Sequence, residues 1–183
     1  MVLTNDEVLA QRLKLLRTHG SRNKYFYDSI GGNFRLDALQ AAVLRVKLKH
    51  LDGWHKSRMQ NAVDYDGLFA KSGLVKNGFV RTPATVYRNS NVSNYHIYNQ
   101  YVIRVQRRDE LQEFLKSNGV PTAIYYPLPL HLQKCFSDLG YTEGDFPVSE
   151  KAADEVLALP IFPELSKDQL EYVVSKIGDF YRS

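Results

Sequence analysis

Leu9, Leu13 and Leu16 recur at helical spacing behind Thr4-Asn5-Asp6-Glu7, a capping-box pattern that predicts a helix ending near His19-Gly20, with Gly20 as its C′ residue. Met1-Val2-Leu3, just ahead, read as the last residues of a strand. Residues 21–35 carry aromatic and polar side chains without periodicity and predict a loop, closed by Gly31-Gly32-Asn33-Phe34-Arg35. Asp37-Ala38-Leu39-Gln40 opens a second helix in the same capping-box style. Leu36, Leu39, Val43 and Val46 form one apolar stripe on it, and Ala41, Leu44, Leu48 and Leu51 form another. Two stripes imply burial on two sides, as in a core helix or a subunit interface. Gly53 weakens the pattern by about 1 kcal/mol relative to Ala. It resumes through Met59, Val63 and Leu68 to Ser72-Gly73, which predicts one long kinked helix or two in series.

Beyond residue 73 the period changes. Phe79–Val86, broken by Pro83, fits an edge strand, and Tyr101, Ile103 and Val105 alternate as one face of a second strand within 95–105. A helix over 109–117 points Leu111, Phe114 and Leu115 inward and stops at Asn118-Gly119. Thr122–Tyr126 reads as a short strand ended by Pro127 and Pro129. Ser149 caps a helix using Ala152, Ala153, Val156 and Leu157, and Ser166-x-x-Gln169 caps the last, with Leu170, Val173, Val174 and Ile177 inward. The expected order is strand, strand, helix, strand, helix, helix: a small α/β sandwich with its own core.

With 183 residues, 44% hydrophobic and 24% charged, the chain has ordinary globular composition. Its formal charge is +4, unevenly spread. Residues 1–60 hold eleven Lys and Arg against five Asp and Glu, a surplus that would suit an anionic ligand but that charge alone assigns first to solvated helix faces. No helix-turn-helix or RNP motif accompanies it, so nucleic acid is not an expected partner. No apolar run approaches the roughly 20 residues of a membrane span and no signal-peptide core opens the chain, so a cytoplasmic location is expected. A single cysteine, Cys135, excludes an internal disulfide and reads as a buried or incidental thiol. Five histidines lack metal-ligand spacing, so no metal is expected. GxSxG, P-loop and GxGxxG motifs are absent.

Two segments carry candidate chemistry. In Gly31–Arg35 an amide and a fork-shaped cation sit just ahead of a helix start and suit a phosphate. In Tyr125-Tyr126-Pro127-Leu128-Pro129-Leu130-His131, alternate prolines fix an extended path interleaved with groups able to hydrogen-bond a sugar or stack on a ring. The alternative for the latter is a strand end with satisfied tyrosines.

These segments, with Met1–Glu7, Arg17–Gly20, Gly32–Leu36, Gln40–Ala42, His96–Tyr101, Arg108–Leu111, Tyr125–His131, Gly144–Pro147, Leu159-Pro160 and Pro163–Leu165, resemble in order the DegT/DnrJ/EryC1/StrS sugar aminotransferases. The resemblance implies an α/β fold, the C-terminal part of a pyridoxal-phosphate (PLP) transferase of type I. Residues 1–35 would be a remnant of the PLP-binding large domain with an active-site loop, 36–72 the linking and dimer helix, and 73–183 the small C-terminal domain. It implies transfer of an amino group, usually from glutamate, to a keto-sugar on a nucleotide diphosphate, in cell-surface polysaccharide or deoxyamino-sugar biosynthesis. It also implies a homodimer with active sites at the subunit interface. Asn33 would bind the PLP phosphate of the neighbouring subunit, and Arg35, Tyr125, Tyr126 and His131 would contact the sugar nucleotide. The lysine that binds the cofactor covalently belongs to a family segment upstream of the one matching Met1, and neither Lys14 nor Lys24 lies in a matching motif. The chain alone is therefore expected to be catalytically silent. The alternative is a non-catalytic module that binds a nucleotide sugar, or that pairs with a full-length relative or the missing half.

Overall fold

The computed structural model describes residues 2–23 and 25–182, so the readings for Met1 and Lys24 lie outside the described residues. The chain divides into two compact units, 1–50 and 51–183.

In the first unit, α1 (Glu7–Leu16) is capped by Asp6, which accepts from the Leu9 N–H at 3.1 Å. Thr4 instead accepts from the Asp6 N–H at 3.1 Å, so the cap sits two residues later than the Thr4-x-x-Glu7 pattern suggests. The chain leaves the helix through His19, whose φ is +63°, and the Gly20 N–H reaches back to the Leu15 carbonyl at 3.0 Å. Gly20 is left-handed as well, at φ +73°, but it lies three residues past the C-cap Arg17 rather than at C′. The expected loop over 21–35 contains a small antiparallel hairpin, β1 (Ser21–Asn23) with β2 (Phe26–Tyr27). Val2 and Leu3 form no strand. Helix α2 (Ala38–Leu48) follows Asp37, whose side chain makes no cap hydrogen bond, contrary to the capping-box reading. Both apolar stripes of α2 are largely open: Leu39 is 79% exposed and Leu48 67%. Among the described residues of 1–50, only Gly20 is buried.

The second unit opens with α3 (Leu51–Ser72), so the 36–72 stretch is two helices in series. The break falls at Lys49-His50, and Gly53 sits inside the first turn of α3. After Gly73, at φ +79°, comes a three-stranded antiparallel sheet with β4 (Tyr101–Val105) in the middle, β3 (Val80–Arg81) on one edge and β5 (Val156–Leu159) on the other. Tyr101 pairs with Leu159 and Ile103 with Leu157; Val80 pairs with Val105. Helices α4 (Arg108–Ser117), α5 (Pro147–Glu155) and α6 (Lys167–Arg182) complete the unit, with α6 packing on α3 and α4.

The order is strand, strand, helix, helix, strand, helix, which corrects two expectations. Thr122–Tyr126 contributes only an isolated bridge, Ala123 to Ala158. Val156 and Leu157, assigned from the sequence to a helix, begin β5; the helix ends at Glu155, and Val156 is extended at φ −77°, ψ 137°. Ser149 does not cap α5 either, since Phe146 holds the cap position and Pro147 opens the first turn. The final capping box is intact: the Ser166 hydroxyl accepts from the Gln169 N–H at 3.3 Å, and Gln169 Oε1 accepts from the Ser166 N–H at 2.9 Å.

One core fills this unit. Tyr65, Phe69, Tyr101, Ile103, Leu111, Leu115, Leu157 and Ile177 are all fully enclosed. Polar anchors tie α3 to the loop after β5. Asn61 Nδ2 donates to the Phe162 carbonyl at 2.8 Å, and the Tyr65 hydroxyl donates to that of Pro160 at 3.0 Å. No described helix is long and apolar enough to cross a membrane.

Candidate functional site

The Asn33–Arg35 loop is laid against the end of α1 by the backbone. The Gly32 N–H donates to the Leu16 carbonyl at 2.9 Å, the Phe34 N–H to Arg17 at 3.0 Å, and the His19 N–H to Gly32 at 3.0 Å. Asn33 forms a bridge with Thr18, whose hydroxyl lies 3.1 Å from both the Lys14 and Leu15 carbonyls. Only glycine fits at 31, because a Cβ there would stand 2.5 Å from both the Leu16 carbonyl oxygen and the Gly20 nitrogen. The glycine signal thus marks a close approach of two backbone segments. On this scaffold Arg35 Nε donates to Asn33 Oδ1 at 2.9 Å, and both side chains are exposed. Their shared hydrogen bond orients the amide and the guanidinium together, a donor set suited to phosphate oxygens.

The Tyr125–His131 segment belongs to the second unit. Ala123 and Ala158 exchange backbone hydrogen bonds of 3.1 and 2.8 Å at its start. Tyr125 is 44% exposed and lines an open cleft of about 340 Å³ with Asn99, Gln100, Thr122 and Pro160. Tyr126 projects further, at φ +57°. His131 differs from both: its side chain is only 8% exposed, Nε2 lies 2.9 Å from Glu150 Oε1, and its ring rests against Phe146 at 4.8 Å. Asn33 and Arg35 are thus brought together in one unit, and Tyr125, Tyr126 and His131 on one segment of the other.

Glu150 has no place in the sequence-derived site, yet it gathers this end of the segment. Besides His131 it accepts from the Gly144 N–H, at 3.0 and 2.9 Å to its two oxygens, and from the Phe146 N–H at 3.1 Å. Partial desolvation pushes its carboxyl up, but the two backbone donors and the imidazole outweigh that and hold it below the usual carboxylate range. The available signal was an acidic residue in the first turn of a proline-opened helix. Arg108 is the other unanticipated group. It is nearly enclosed, and its Nη1 donates to the carbonyls of Ala153 at 2.8 Å and Val156 at 3.2 Å, where α5 passes into β5. The His96–Tyr101 segment also builds structure. His96 Nδ1 accepts from the Tyr98 N–H at 3.1 Å, and its ring packs on buried Tyr98.

A larger cleft of about 640 Å³ beside the end of α4, lined by Gln112, Lys116 and Gly119 among others, contains none of the expected site residues. No group of three or more metal-ligating side chains occurs among the described residues. Cys135 is exposed, which removes the buried reading of its thiol.

This small α/β domain, preceded by a helical segment, is the C-terminal part of a type I PLP-transferase fold, as its likeness to solved sugar aminotransferases shows. The DegT/DnrJ/EryC1/StrS aminotransferase family model matches residues 1–178, and the chain belongs to that family. It is 48% identical over 182 residues to a "Pleiotropic regulatory protein" of Geobacillus stearothermophilus, covering 100% of this chain and 47% of that one. It is 38% identical over 179 residues to the dTDP-3-amino-3,4,6-trideoxy-alpha-D-glucose transaminase of Streptomyces venezuelae, covering 98% and 45%. Among solved structures, DesV of S. venezuelae superposes with a TM-score of 0.83 at 35% identity, covering 99% of this chain and 46% of DesV. The chain spans about half the length of the curated relatives it matches.

Proposed function

We propose that this chain is the C-terminal half of a PLP-dependent aminotransferase that moves an amino group from glutamate to a nucleotide-linked keto-sugar, in the cytoplasm, for polysaccharide or deoxyamino-sugar biosynthesis. The observation that carries the reading is the Asn33–Arg35 pair, held on a glycine-dependent loop in a chain that matches the family almost end to end. Sugar-nucleotide transaminases among its relatives support the substrate class.

Pyridoxal phosphate, when bound, supplies the electron sink for the transfer. Asn33 and Arg35 fit its phosphate and those of the substrate: the amide donates, and the guanidinium offers a charged fork. In this reading Asn33 serves the cofactor and Arg35 the nucleotide diphosphate. Tyr125 and Tyr126 present ring faces and hydroxyls to the sugar nucleotide, and His131 stands behind them. The open stripes of α2 serve a homodimer interface or the N-terminal half.

No lysine of this chain stands in the family's cofactor motif, so the 183 residues alone give no turnover. The test is a transamination assay with glutamate and dTDP- and UDP-linked keto-sugars. Turnover is expected only when a segment carrying the cofactor lysine is supplied, and turnover by this chain alone above free PLP overturns the reading. A second reading, a non-catalytic module, draws on the self-contained core of 51–183. It requires saturable binding of nucleotide sugars without PLP, measured by calorimetry.

A further inference from the structure

The segment between Ala123 and His131 is tethered at both ends. The Ala123–Ala158 bridge fixes one end to β5, and the His131–Glu150 hydrogen bond fixes the other to α5. Between the tethers, Pro127 and Pro129 each lock φ. Tyr126 holds a left-handed backbone directly before a proline, where the α-type regions are disfavoured. Such a conformation is strained and persists only when its surroundings impose it. The outcome is a ring held 74% exposed, with Tyr125 beside it at the cleft.

We propose that Glu150 is a positioning residue for the Tyr125–Tyr126 face, acting through His131. This rests on the reading of that face as the sugar-nucleotide wall. Glu150 is fastened by the Gly144 and Phe146 N–H groups, so its position is set by the loop that opens α5. A carboxylate has no proton to donate, so the proton of the bond sits on His131 Nε2 and the ring is held in one tautomer and one orientation. Phe146 covers that ring, and the edge of Tyr141 meets Phe146 at 5.0 Å, which limits water at the bond. Loss of the bond frees the C-terminal tether, and Tyr126 relaxes out of its left-handed conformation.

The test compares Glu150→Ala, His131→Leu and His131→Gln in the full chain. Glutamine keeps an N–H near the place of Nε2. Three quantities are read: the ¹⁹F signal of 3-fluorotyrosine at 126, amide exchange over 124–131 against that of β4, and binding of UDP and dTDP. Glu150→Ala and His131→Leu are expected to shift the Tyr126 signal alike and to speed exchange over 124–131 about tenfold, with β4 unchanged and nucleotide affinity about tenfold lower. His131→Gln keeps the wild-type Tyr126 signal and the wild-type exchange over 124–131. Should Glu150→Ala fail to fold, His131→Leu carries the comparison. A Tyr126 signal and exchange rate unmoved by His131→Leu, or His131→Gln and His131→Leu behaving alike, overturns the proposal. If the signals move as stated but neither nucleotide binds the wild-type chain, Glu150 positions the segment and the sugar-nucleotide reading fails instead.

Discussion

The hydroxyl of Tyr101 donates to Asp66 Oδ1 across 2.6 Å and so bolts the central strand of the sheet to α3. The Tyr101 ring is fully enclosed and stacks on Tyr65 at 4.9 Å. Burial, then the hydrogen bond to Asp66, drive the phenol pKa far upward, so it remains a donor at any ordinary pH. Tyr101→Phe keeps the packing and strands the Asp66 oxygen, and is expected to cost about 1.5–3 kcal/mol in urea unfolding at constant m. A loss near zero would mean that water takes the hydroxyl's place.

Arg108 predicts a larger effect. Its guanidinium serves two carbonyls at the α5–β5 junction and Asp109 Oδ1 at 2.5 Å, while Asp109 itself is mostly solvated. Arg108→Ala removes the donors and opens a void, at an expected cost of about 3 kcal/mol. Arg108→Lys recovers only part, since one ammonium cannot span both carbonyls and the carboxylate in a planar fork. Thermal melts of both variants check the ranking.

Glu150 gives the chain an acid dependence of known sign. Its folded pKa lies below the unfolded value, so its stabilisation is complete above the unfolded pKa and is lost as pH falls through the folded one. For a carboxylate the window lies below about pH 4.3. Asp179 titrates in the same direction, through Arg182 first and then Lys176. Melting temperatures from pH 3 to 6 are expected to fall toward acid more gently in Glu150→Gln than in the wild type. Equal slopes would assign the acid loss to the other carboxylates.

How much of this was legible in the sequence follows from which forces are local. The stripes of α4 and α6 and the Ser166–Gln169 box encode burial and capping within a few residues, and the structure repeats them. The alternation over Tyr101–Val105 gave β4 with its buried face. Val156–Leu159 was not legible. Four apolar residues in a row after a helical pattern fit a helix end as well as a buried strand, and only pairing with Tyr101–Arg104 decides between them. Asn33 and Arg35 were visible as residue types, but their mutual hydrogen bond was not. Glu150 and His131 are 19 positions apart, and no local pattern joins them.

Gly31 offers a direct test of the first unit. A methyl group there meets the Leu16 carbonyl, so Gly31→Ala pushes the Asn33–Arg35 loop off α1. Amide exchange at Gly32 and Phe34, whose N–H groups are held by Leu16 and Arg17, is expected to rise at least about tenfold while α6 keeps its protection. Unchanged protection would show that the loop accommodates the extra carbon.

The near absence of buried residues among the described residues of 1–50 has a kinetic meaning. A segment without an interior gains little free energy by ordering alone, so its order comes from whatever surface covers it. Residues 51–183 can fold at a rate independent of how many copies are present. If that surface belongs to a second chain, the hairpin, the Asn33 loop and α2 become ordered in a second-order step, whose half-time shortens as concentration rises. In that case, encounter with a covering surface and acquisition of structure are a single event for this part of the chain.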